Sequence, residues 1–470
     1  MSEAIDVPTQ EVVEAAPDAG GLGGHPRGLT TLFFTELWER FSYYGMRAIL
    51  VLYMVAPAAQ GGLEFDTKRA ASIYGTYTMS VYLTALPGGL VADKWLGARL
   101  AVLLGGIVIA CGHFTMVFQS TTFLYAGMAL IAIGTGLLKP NISAMVGGLY
   151  RENDPRRDSG FSLFYMGINV GAVLAPLVCG YLAQSEGFRA FLASNGFDPA
   201  ASWHWGFGAA GVGMTLGLVV FILQRGRLRR AERRVDKGGG VVKEDEAAAA
   251  AQRLTADDWK RVGVIFVFFL FTILFWGAYE QKGASLNLFA LKLVRTEVFG
   301  FQFPSSWLQS LTPLYVIILA PLFSILWVRM GDRQPSSPAK FAFGLLFIGL
   351  AYLLFMTPAA WMTAGGKVSP LWLVGLYFLE VVGEMCLSPV GLSTVTKLSP
   401  AKLVGIMMGV WFLASSFGSK LAGYLSGFFV ADDPSTLVRL YGGIALGLLV
   451  ATGMLALLIP TLRRMMGRVR

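Results

Sequence analysis

The stretch TLFFTELWERFSYYGMRAILVLYMV (residues 31–55) is predicted to be a membrane-spanning helix that carries charged side chains. It is long enough to cross a hydrocarbon core of roughly 30 Å at about 1.5 Å per residue. The spacing i, i+4, i+7, i+11 forms one stripe along this helix from Glu36, Arg40, Tyr43 and Arg47, with Glu39 also four residues before Tyr43. Exposing a charge to lipid near the bilayer centre costs about 2.5 kcal/mol or more. We therefore expect this stripe to face a protein interior or a water-filled cavity.

The composition of the whole chain indicates a membrane protein. Of its 470 residues, 55% are hydrophobic and 14% are charged, and the mean hydropathy is +0.59. Apolar stretches long enough to span a bilayer recur along the chain. We predict an all-α membrane protein with twelve transmembrane helices at about 29–56, 68–92, 98–118, 122–149, 159–183, 203–224, 260–290, 306–329, 340–357, 370–398, 402–430 and 437–462.

The distribution of basic residues predicts the orientation. If both termini are cytoplasmic, most of the 38 Lys and Arg residues fall in inner loops and tails, including the cluster from Arg225 to Arg234. The net charge of +9 is then explained by topology, so we expect no binding of nucleic acid. We expect a multi-pass protein of the cytoplasmic (inner) membrane, surrounded by the lipid bilayer and functional as a monomer.

Hydropathy divides the chain into a tail, two helical bundles and a linker. The predicted segments are a disordered N-terminal tail, a six-helix bundle, a cytoplasmic linker without an extra helix pair, and a second six-helix bundle with a short basic tail: 1–28, 29–224, 225–259 and 260–470. The loop ADKWLGAR (92–99) occupies the same position in the first bundle as RMGDRQPSSPAK (329–340) does in the second. The first loop resembles the signature of the major facilitator superfamily, in which a central site alternates between the two faces of the membrane.

Residue counts place several charges at similar depths. Counted from the predicted inner end of each helix, a layer roughly 16 to 20 Å deep combines cations of the first bundle with an acid of the second, namely Arg40, Lys139 and Glu384. Arg47 and Glu280 are both roughly 27 Å deep, so we expect them to pair across the two bundles.

Three further charged residues in predicted helices match no motif. We expect Glu380 and Lys420 to be paired structurally and Lys282 to reach the outer interface.

Several ordered motifs resemble the proton-coupled oligopeptide transporter (POT) family. The pattern E-x-x-E-R-F-x-Y-Y-G is complete in residues 36–45. It is followed by GTGLLKPNIS (134–143), FYMGINVG (164–171), FWGAYEQ (275–281), GEMCLSPVGLSTVTKLSP (383–400) and MMGVWFLASSFG (407–418). The resemblance spans both predicted bundles.

This resemblance implies symport of protons with di- and tripeptides, imported by alternating access. Proton coupling would involve Glu36, Glu39 and Arg40, because a peptide carboxylate that competes for Arg40 would free a glutamate to take up a proton. Peptide binding would involve Arg40, Arg47, Lys139, Asn169, Glu384, Tyr43, Tyr44, Tyr82, Trp276, Trp411 and Ser415. Arg47 and Glu280 would form the outer gate.

Two alternatives to peptide import remain open at this point. A proton-coupled exporter would share the fold, and a family member could carry a non-peptide anion such as nitrate. Thr312 also replaces the Asn that is common in relatives, which could remove a hydrogen bond to the substrate. The sequence contains no pattern of an enzyme, metal site or phosphate-binding loop, so we expect no catalytic activity, metal or cofactor.

Overall fold

A computed structural model describes residues 18–151, 154–236, 254–361 and 366–467. The first half of the described chain contains α1 (Arg27–Val55), α2 (Thr67–Leu83), α3 (Ala85–Val91), α4 (Ala98–Thr115), α5 (Thr121–Gly148), α6 (Arg157–Gln184), α7 (Glu186–Ser194), α8 (Ser202–Leu223) and α9 (Arg229–Asp236). The second half contains α10 (Ala256–Tyr279), α11 (Ser285–Leu293), the hairpin β1 (Glu297–Val298) and β2 (Phe301–Gln302), α12 (Leu311–Met330), α13 (Ser337–Trp361), α14 (Leu371–Leu398), α15 (Val404–Ser426) and α16 (Pro434–Met466).

The length and composition of these helices are those of a membrane protein. Within the described residues, nine helical segments are long and apolar enough to cross a bilayer. They include α4, α5, α6 and α8 of the first half and α12, α14 and α16 of the second. The charged helix α1 is 29 residues long, so it also exceeds the length needed to span. The protein is therefore a helical, multi-pass membrane protein.

The chain preceding α1 is folded where it is described. Residues 18–28 were assigned to a disordered tail, but α1 begins at Arg27 and His25 is buried. The Nδ1 atom of His25 lies 2.8 Å from the hydroxyl oxygen of Tyr150. The prediction was wrong for this segment because polar composition does not reveal such a long-range contact. Residues 1–17 lie outside the described part of the chain.

The predicted linker 225–259 also contains regular structure. Its first part forms α9, which contacts the ADKWLGAR loop region through an ion pair of 2.9 Å between Glu232 and Arg99. Residues 237–253 lie outside the described part of the chain, so the remainder of the linker prediction stays a prediction.

Local sequence explains how α10 begins and how the two corresponding loops turn. The Thr255 side chain accepts a hydrogen bond from the Asp258 N–H, and the Asp258 carboxylate accepts one from the Thr255 N–H, which forms a capping box. Gly97 and Gly331 have φ angles of +72° and +48°, a left-handed region that favours glycine. Both loops therefore depend on glycine at their turns.

Many of the extensive helix contacts lie within one half of the chain. In the first half, α1 packs against α6 and α8, and α4 packs against α5. In the second half, α13 packs against α14 and α16, and α10 packs against α15. Arg47, in the C-terminal part of α1, pairs with Glu280, which directly follows α10. We call the side of the molecule that contains this pair the distal end.

Contacts between the halves close the distal end. Helices α2 and α15 cross so closely that a Cβ on Gly75 would lie 2.8 Å from the Cα of Gly423. Nearby, the Lys420 ammonium donates a hydrogen bond to the Thr76 hydroxyl at 2.6 Å. This neutral partner replaces the structural pairing that we expected for Lys420.

A short 3₁₀ segment preceding α12 adds polar contacts to this closure. The hydroxyl of Ser310 donates to the carbonyl oxygen of Val173 at 2.7 Å, and the Trp307 indole N–H donates to that of Leu177 at 3.0 Å. Both acceptors lie on α6, so side chains of the second half donate hydrogen bonds to main-chain carbonyl groups of the first half.

Candidate functional site

Two glutamates of α1 share one arginine. The Arg40 guanidinium binds Glu39 through two hydrogen bonds, with 2.5 Å between Nη2 and Oε1. Its Nε also lies 3.3 Å from Oε1 of Glu36, one helical turn away. All three residues are buried, and Oε2 of Glu36 has no hydrogen-bond partner within the described residues. The three side chains together carry one excess negative charge if both carboxyl groups are ionised.

Lys139 of α5 lies beside this cluster. It is close enough to interact electrostatically with Arg40, Glu36 and Glu39, but it joins no ion pair in the described part of the chain. Its Nζ lies 5.9 Å from the ring centroid of Tyr82 on α2. The first half therefore brings together two acids and two cations, and Lys139 remains available to a ligand.

Aromatic rings cover the distal side of the cluster. The Arg40 guanidinium lies 5.0 Å from the ring centroid of Tyr43, and Tyr43 meets the half-buried Tyr44 edge to face at 5.1 Å. These rings provide apolar surface next to charged groups, an arrangement suited to ligands with varied side chains.

The second half presents an acid on α14. The Tyr279 hydroxyl donates a hydrogen bond to Glu384, which is buried together with it. Trp276 meets the Tyr279 ring edge to face, with 5.1 Å between centroids. Glu384 and Trp276 were predicted from the sequence, whereas Tyr279 was not, although it lies three residues after Trp276 in the same motif.

Tyr165 connects the two halves and was also missed. It is 42% exposed, yet it is close enough to interact electrostatically with Glu384 of the second half and Tyr44 of the first. The Asn169 side-chain amide donates to the main-chain carbonyl of Tyr165 at 2.9 Å. Because Tyr165 is exposed while close to residues of both halves, it faces an open space between them.

Arg47 and Glu280 form the predicted pair across the halves. Arg47 makes an ion pair with Glu280 and donates a second hydrogen bond to the Tyr74 hydroxyl. All three side chains are buried near the distal ends of their helices. The predicted depths of Arg47 and Glu280 agreed because every α-helix has the same rise per residue.

Three predicted peptide-contacting or substrate-affecting residues lie in other surroundings. Trp411 is buried against Phe341, with 6.0 Å between ring centroids, and its ring fits over Gly391. Its ring is therefore closely packed in this conformation, and its contact with peptide stays a prediction. Ser415 is half-buried on α15, and Thr312 is buried with no hydrogen-bond partner for its hydroxyl within the described residues.

Lys282 and Glu380 differ from expectation. Lys282 does not reach an outer interface: its Nζ lies 3.3 Å from the Tyr279 ring centroid, and Glu384 and Glu380 are its acidic neighbours. The 3₁₀ turn Glu280–Gly283 after α10 redirects its side chain. Glu380 is fully buried, and neither carboxyl oxygen has a hydrogen-bond partner within the described residues.

Two grooves of the described structure lie away from these charged residues. Within the described ranges of the chain, no group of three His, Cys, Asp or Glu residues is placed to hold a metal ion. A groove of about 620 Å³ between α10, α15 and α16 and one of about 280 Å³ between α2 and α5 are lined by other residues.

Known proteins are similar to this chain in both sequence and fold. The sequence profile of the POT family matches residues 99–237 and 229–438. The uncharacterised transporter YclF of Bacillus subtilis is 39% identical over 98% of this chain and 99% of its own length. The peptide transporter YePEPT of Yersinia enterocolitica is 37% identical over 94% of this chain and 96% of its own.

Solved structures agree with the sequence relatives. A crystal structure of a mutant peptide transporter POT in complex with alafosfalin is 38% identical and superposes with a TM-score of 0.84, covering 95% of this chain and 97% of that one. A POT family transporter in complex with 5-aminolevulinic acid is 31% identical and superposes with a TM-score of 0.81. The match covers 95% of this chain and 99% of that one. The matched profile and the full-length relatives together establish that this chain belongs to the POT family.

Proposed function

We propose that this protein is a proton-coupled symporter that imports di- and tripeptides across the cytoplasmic membrane by alternating access. Twelve transmembrane helices in two six-helix bundles, with both termini cytoplasmic, would provide the moving parts. One observation carries the proposal: Tyr44 is close both to Arg40 of the first half and to Glu384 of the second, and Lys139 lies beside Arg40.

This arrangement suits the two ends of a peptide. A zwitterionic dipeptide has opposite charges a short distance apart, so cations on one wall and a carboxylate on the other recognise that distance. Arg40 and Lys139 would bind the carboxylate, while Glu384 and Asn169 would bind the amino end. Contacts to the termini leave side-chain selectivity low, and the aromatic rings tolerate variety.

The ligands and names of relatives favour a zwitterion over a lone anion such as nitrate. Lactococcus lactis has a di-/tripeptide transporter that is 34% identical over 95% of this chain. One similar structure holds 5-aminolevulinic acid, a compound that, like a peptide, carries an amino and a carboxyl group. An exporter that exchanges drugs for protons has no need for this pairing of charges.

Proton coupling follows from the shared arginine. While Arg40 binds two carboxylates, both are stabilised as ions. A peptide carboxylate that competes for Arg40 and Lys139 releases Glu36 or Glu39 from its cation, and a proton then restores neutrality. Glu36 is suited to this role because one of its oxygens has no partner within the described residues.

The distal pair would act as the outer gate. If the distal end faces outward, the Arg47–Glu280 pair and the α2–α15 crossing close the site toward the outside in this conformation. Opening would then require this buried pair to separate.

Uptake into proteoliposomes tests the function. We expect labelled dialanine to accumulate when the outside is made acidic, and unlabelled di- and tripeptides to compete with it. In Glu39→Gln, acid-driven uptake should be abolished while peptide counterflow remains measurable, because exchange of bound peptide needs no net proton movement.

The matched control is Glu186→Gln, which makes the same chemical change on the exposed part of α7. It should accumulate dialanine like the unmodified protein. Acid-driven accumulation that survives intact in Glu39→Gln would contradict the assigned coupling, and absence of peptide competition in the unmodified protein would contradict the substrate.

A further inference from the structure

Glu380 is a buried acid that the proposed mechanism leaves unused. It lies one helical turn before Glu384 on α14 and is inaccessible to solvent. Neither of its carboxyl oxygens receives a hydrogen bond within the described residues. An ionised carboxylate without a donor in a buried site is strongly disfavoured, whereas a neutral carboxylic acid is tolerated. The geometry therefore indicates that Glu380 holds a proton in this conformation.

The neighbouring tyrosines do not change this conclusion. Tyr352 of α13 lies next to Glu380 but donates its proton to the carbonyl oxygen of Ala278 at 2.8 Å. While that proton is directed to Ala278, the Tyr352 oxygen can only accept a hydrogen bond, and the donor would be a protonated Glu380. Tyr377, one turn earlier on α14, is also close to Glu380, but its hydroxyl makes no hydrogen bond within the described residues.

The only charged neighbours of Glu380 in the described chain are Lys282 and Glu384. Lys282 is close enough to interact electrostatically with both acids and also with Arg47. It makes no ion pair within the described residues, so its ammonium is not fixed to either acid. Glu384 accepts a hydrogen bond from Tyr279, as an ionised carboxylate does. One cation is thus shared between one ionised and one protonated acid.

We propose that Glu380 is a second proton-exchange site, which gives up its proton when the amino group of a peptide binds Glu384. This inference rests on the proposed function, since it assumes that Glu384 holds the peptide amino end. The peptide ammonium forms an ion pair with the Glu384 carboxylate, so that Lys282 becomes the counter-ion of Glu380. The Glu380 O–H bond then breaks and its electron pair stays on the carboxylate. The proton passes to water once a change of conformation lets water reach Glu380, which is inaccessible to solvent here.

Peptide binding releases this proton, whereas it causes uptake of the coupling proton. Peptide binding makes the first half take up a proton at Glu36 or Glu39 and makes the second half release one from Glu380. The number of protons taken up per bound peptide is therefore up to one lower than the first half alone would give.

Calorimetry of dialanine binding in two buffers with different ionisation enthalpies measures this number directly. In Glu380→Gln, which mimics the permanently protonated acid, we expect up to one more proton to be taken up per peptide. Affinity should then weaken by up to tenfold more per unit rise in pH than in the unmodified protein. Lys282→Gln should give the same shift, because Glu380 then lacks a cation against which to ionise.

The double variant should show no shift beyond either single variant, and the exposed Glu297→Gln should show none. Equal proton counts in Glu380→Gln and the unmodified protein would overturn the inference. If Glu380→Gln does not fold, the measurement on Lys282→Gln tests the inference instead. A number of protons per peptide equal to that of the unmodified protein would then overturn the inference in the same way. Failure of the unmodified protein to bind dialanine would instead overturn the proposed function.

Discussion

Replacing Glu280 by Gln tests whether the distal ion pair holds the distal end closed. The substitution keeps the size of the side chain but removes the negative charge that faces Arg47. Arg47 retains its hydrogen bond to Tyr74, so the local packing is largely preserved while the guanidinium stays buried without a counter-ion.

The burial of the pair sets the size of the effect. Removing one partner of a buried ion pair costs about 3–5 kcal/mol, whereas exposed pairs contribute at most about 1 kcal/mol. Because Gln can still accept a hydrogen bond, we take the lower value of about 3 kcal/mol. At about 1.4 kcal/mol per factor of ten, the closed state loses stability by roughly a hundredfold relative to the open one. A closed-to-open ratio of about 99:1 would become about 1:1.

Spin labels on the two halves at the distal end report this ratio. Asn195, after α7, and Phe299, at the tip of the hairpin, are both exposed and belong to opposite halves. The exposed Cys111 is first replaced by Ser, while the buried Cys179 and Cys386 remain. In lipid nanodiscs we expect one short distance for the unmodified protein and a second, longer distance of similar population for the variant.

Glu64→Gln is the matched control, since Glu64 is an exposed glutamate of the distal loop after α1. It should retain the single short distance. A distance distribution for Glu280→Gln that coincides with that of the control would refute the view that this pair determines closure.

Three further changes have defined outcomes. Arg40→Lys replaces a guanidinium that binds Glu39 twice by a point charge, so acid-driven dialanine uptake should fall at least about tenfold, as measured by initial rates in proteoliposomes. Gly75→Leu places a side chain against the backbone of Gly423, so the spin-label distance across the distal end should lengthen and uptake should fall. Hydrogen bonds from the start of α16 lower the pKa of Asp433 to about 2, so its carboxylate stabilises the fold above its ordinary pKa and loses this effect as the pH falls toward 2. The melting temperature of Asp433→Ala should therefore be lower at neutral pH and approach that of the unmodified protein in acid.

Depth along the membrane could be predicted from the sequence, but rotation about a helix could not. The rise per residue is fixed, so counting brought Arg47 and Glu280 to the same level. Lys282 was misplaced because α10 ends at Tyr279 and the 3₁₀ turn that follows changes the direction of the next side chains. The same turn places Lys282 above the Tyr279 ring, a contact that helical spacing does not predict.

Motifs identified the charged residues but not their immediate partners. Tyr165 was overlooked because an exposed tyrosine in a membrane helix is indistinguishable by sequence from one that faces lipid. Trp411 was assigned to peptide binding on resemblance, and the sequence did not reveal that the absence of a side chain at Gly391 creates the place where its ring packs. Such contacts depend on which faces of two helices meet, and hydropathy carries little information on this point.

The charges of the first half explain why peptide carboxylate and proton belong together. Glu36 and Glu39 oppose Arg40 and Lys139, so this group of side chains is neutral when all four are ionised. A bound carboxylate adds one negative charge in a region where an uncompensated charge is costly. Uptake of one proton by either glutamate removes that excess.

The charges of the second half also balance, but only when one of its acids is protonated. Binding of the peptide ammonium there favours loss of a proton, whereas binding of the peptide carboxylate to the first half favours uptake of one. Glu384 and Lys282 balance each other only if Glu380 carries its proton, as its lack of hydrogen-bond donors within the described residues indicates. The peptide ammonium adds a positive charge, and loss of the Glu380 proton removes it. A zwitterion can therefore bind between the halves while each remains neutral, which a lone anion or a lone cation cannot achieve with the same two proton transfers.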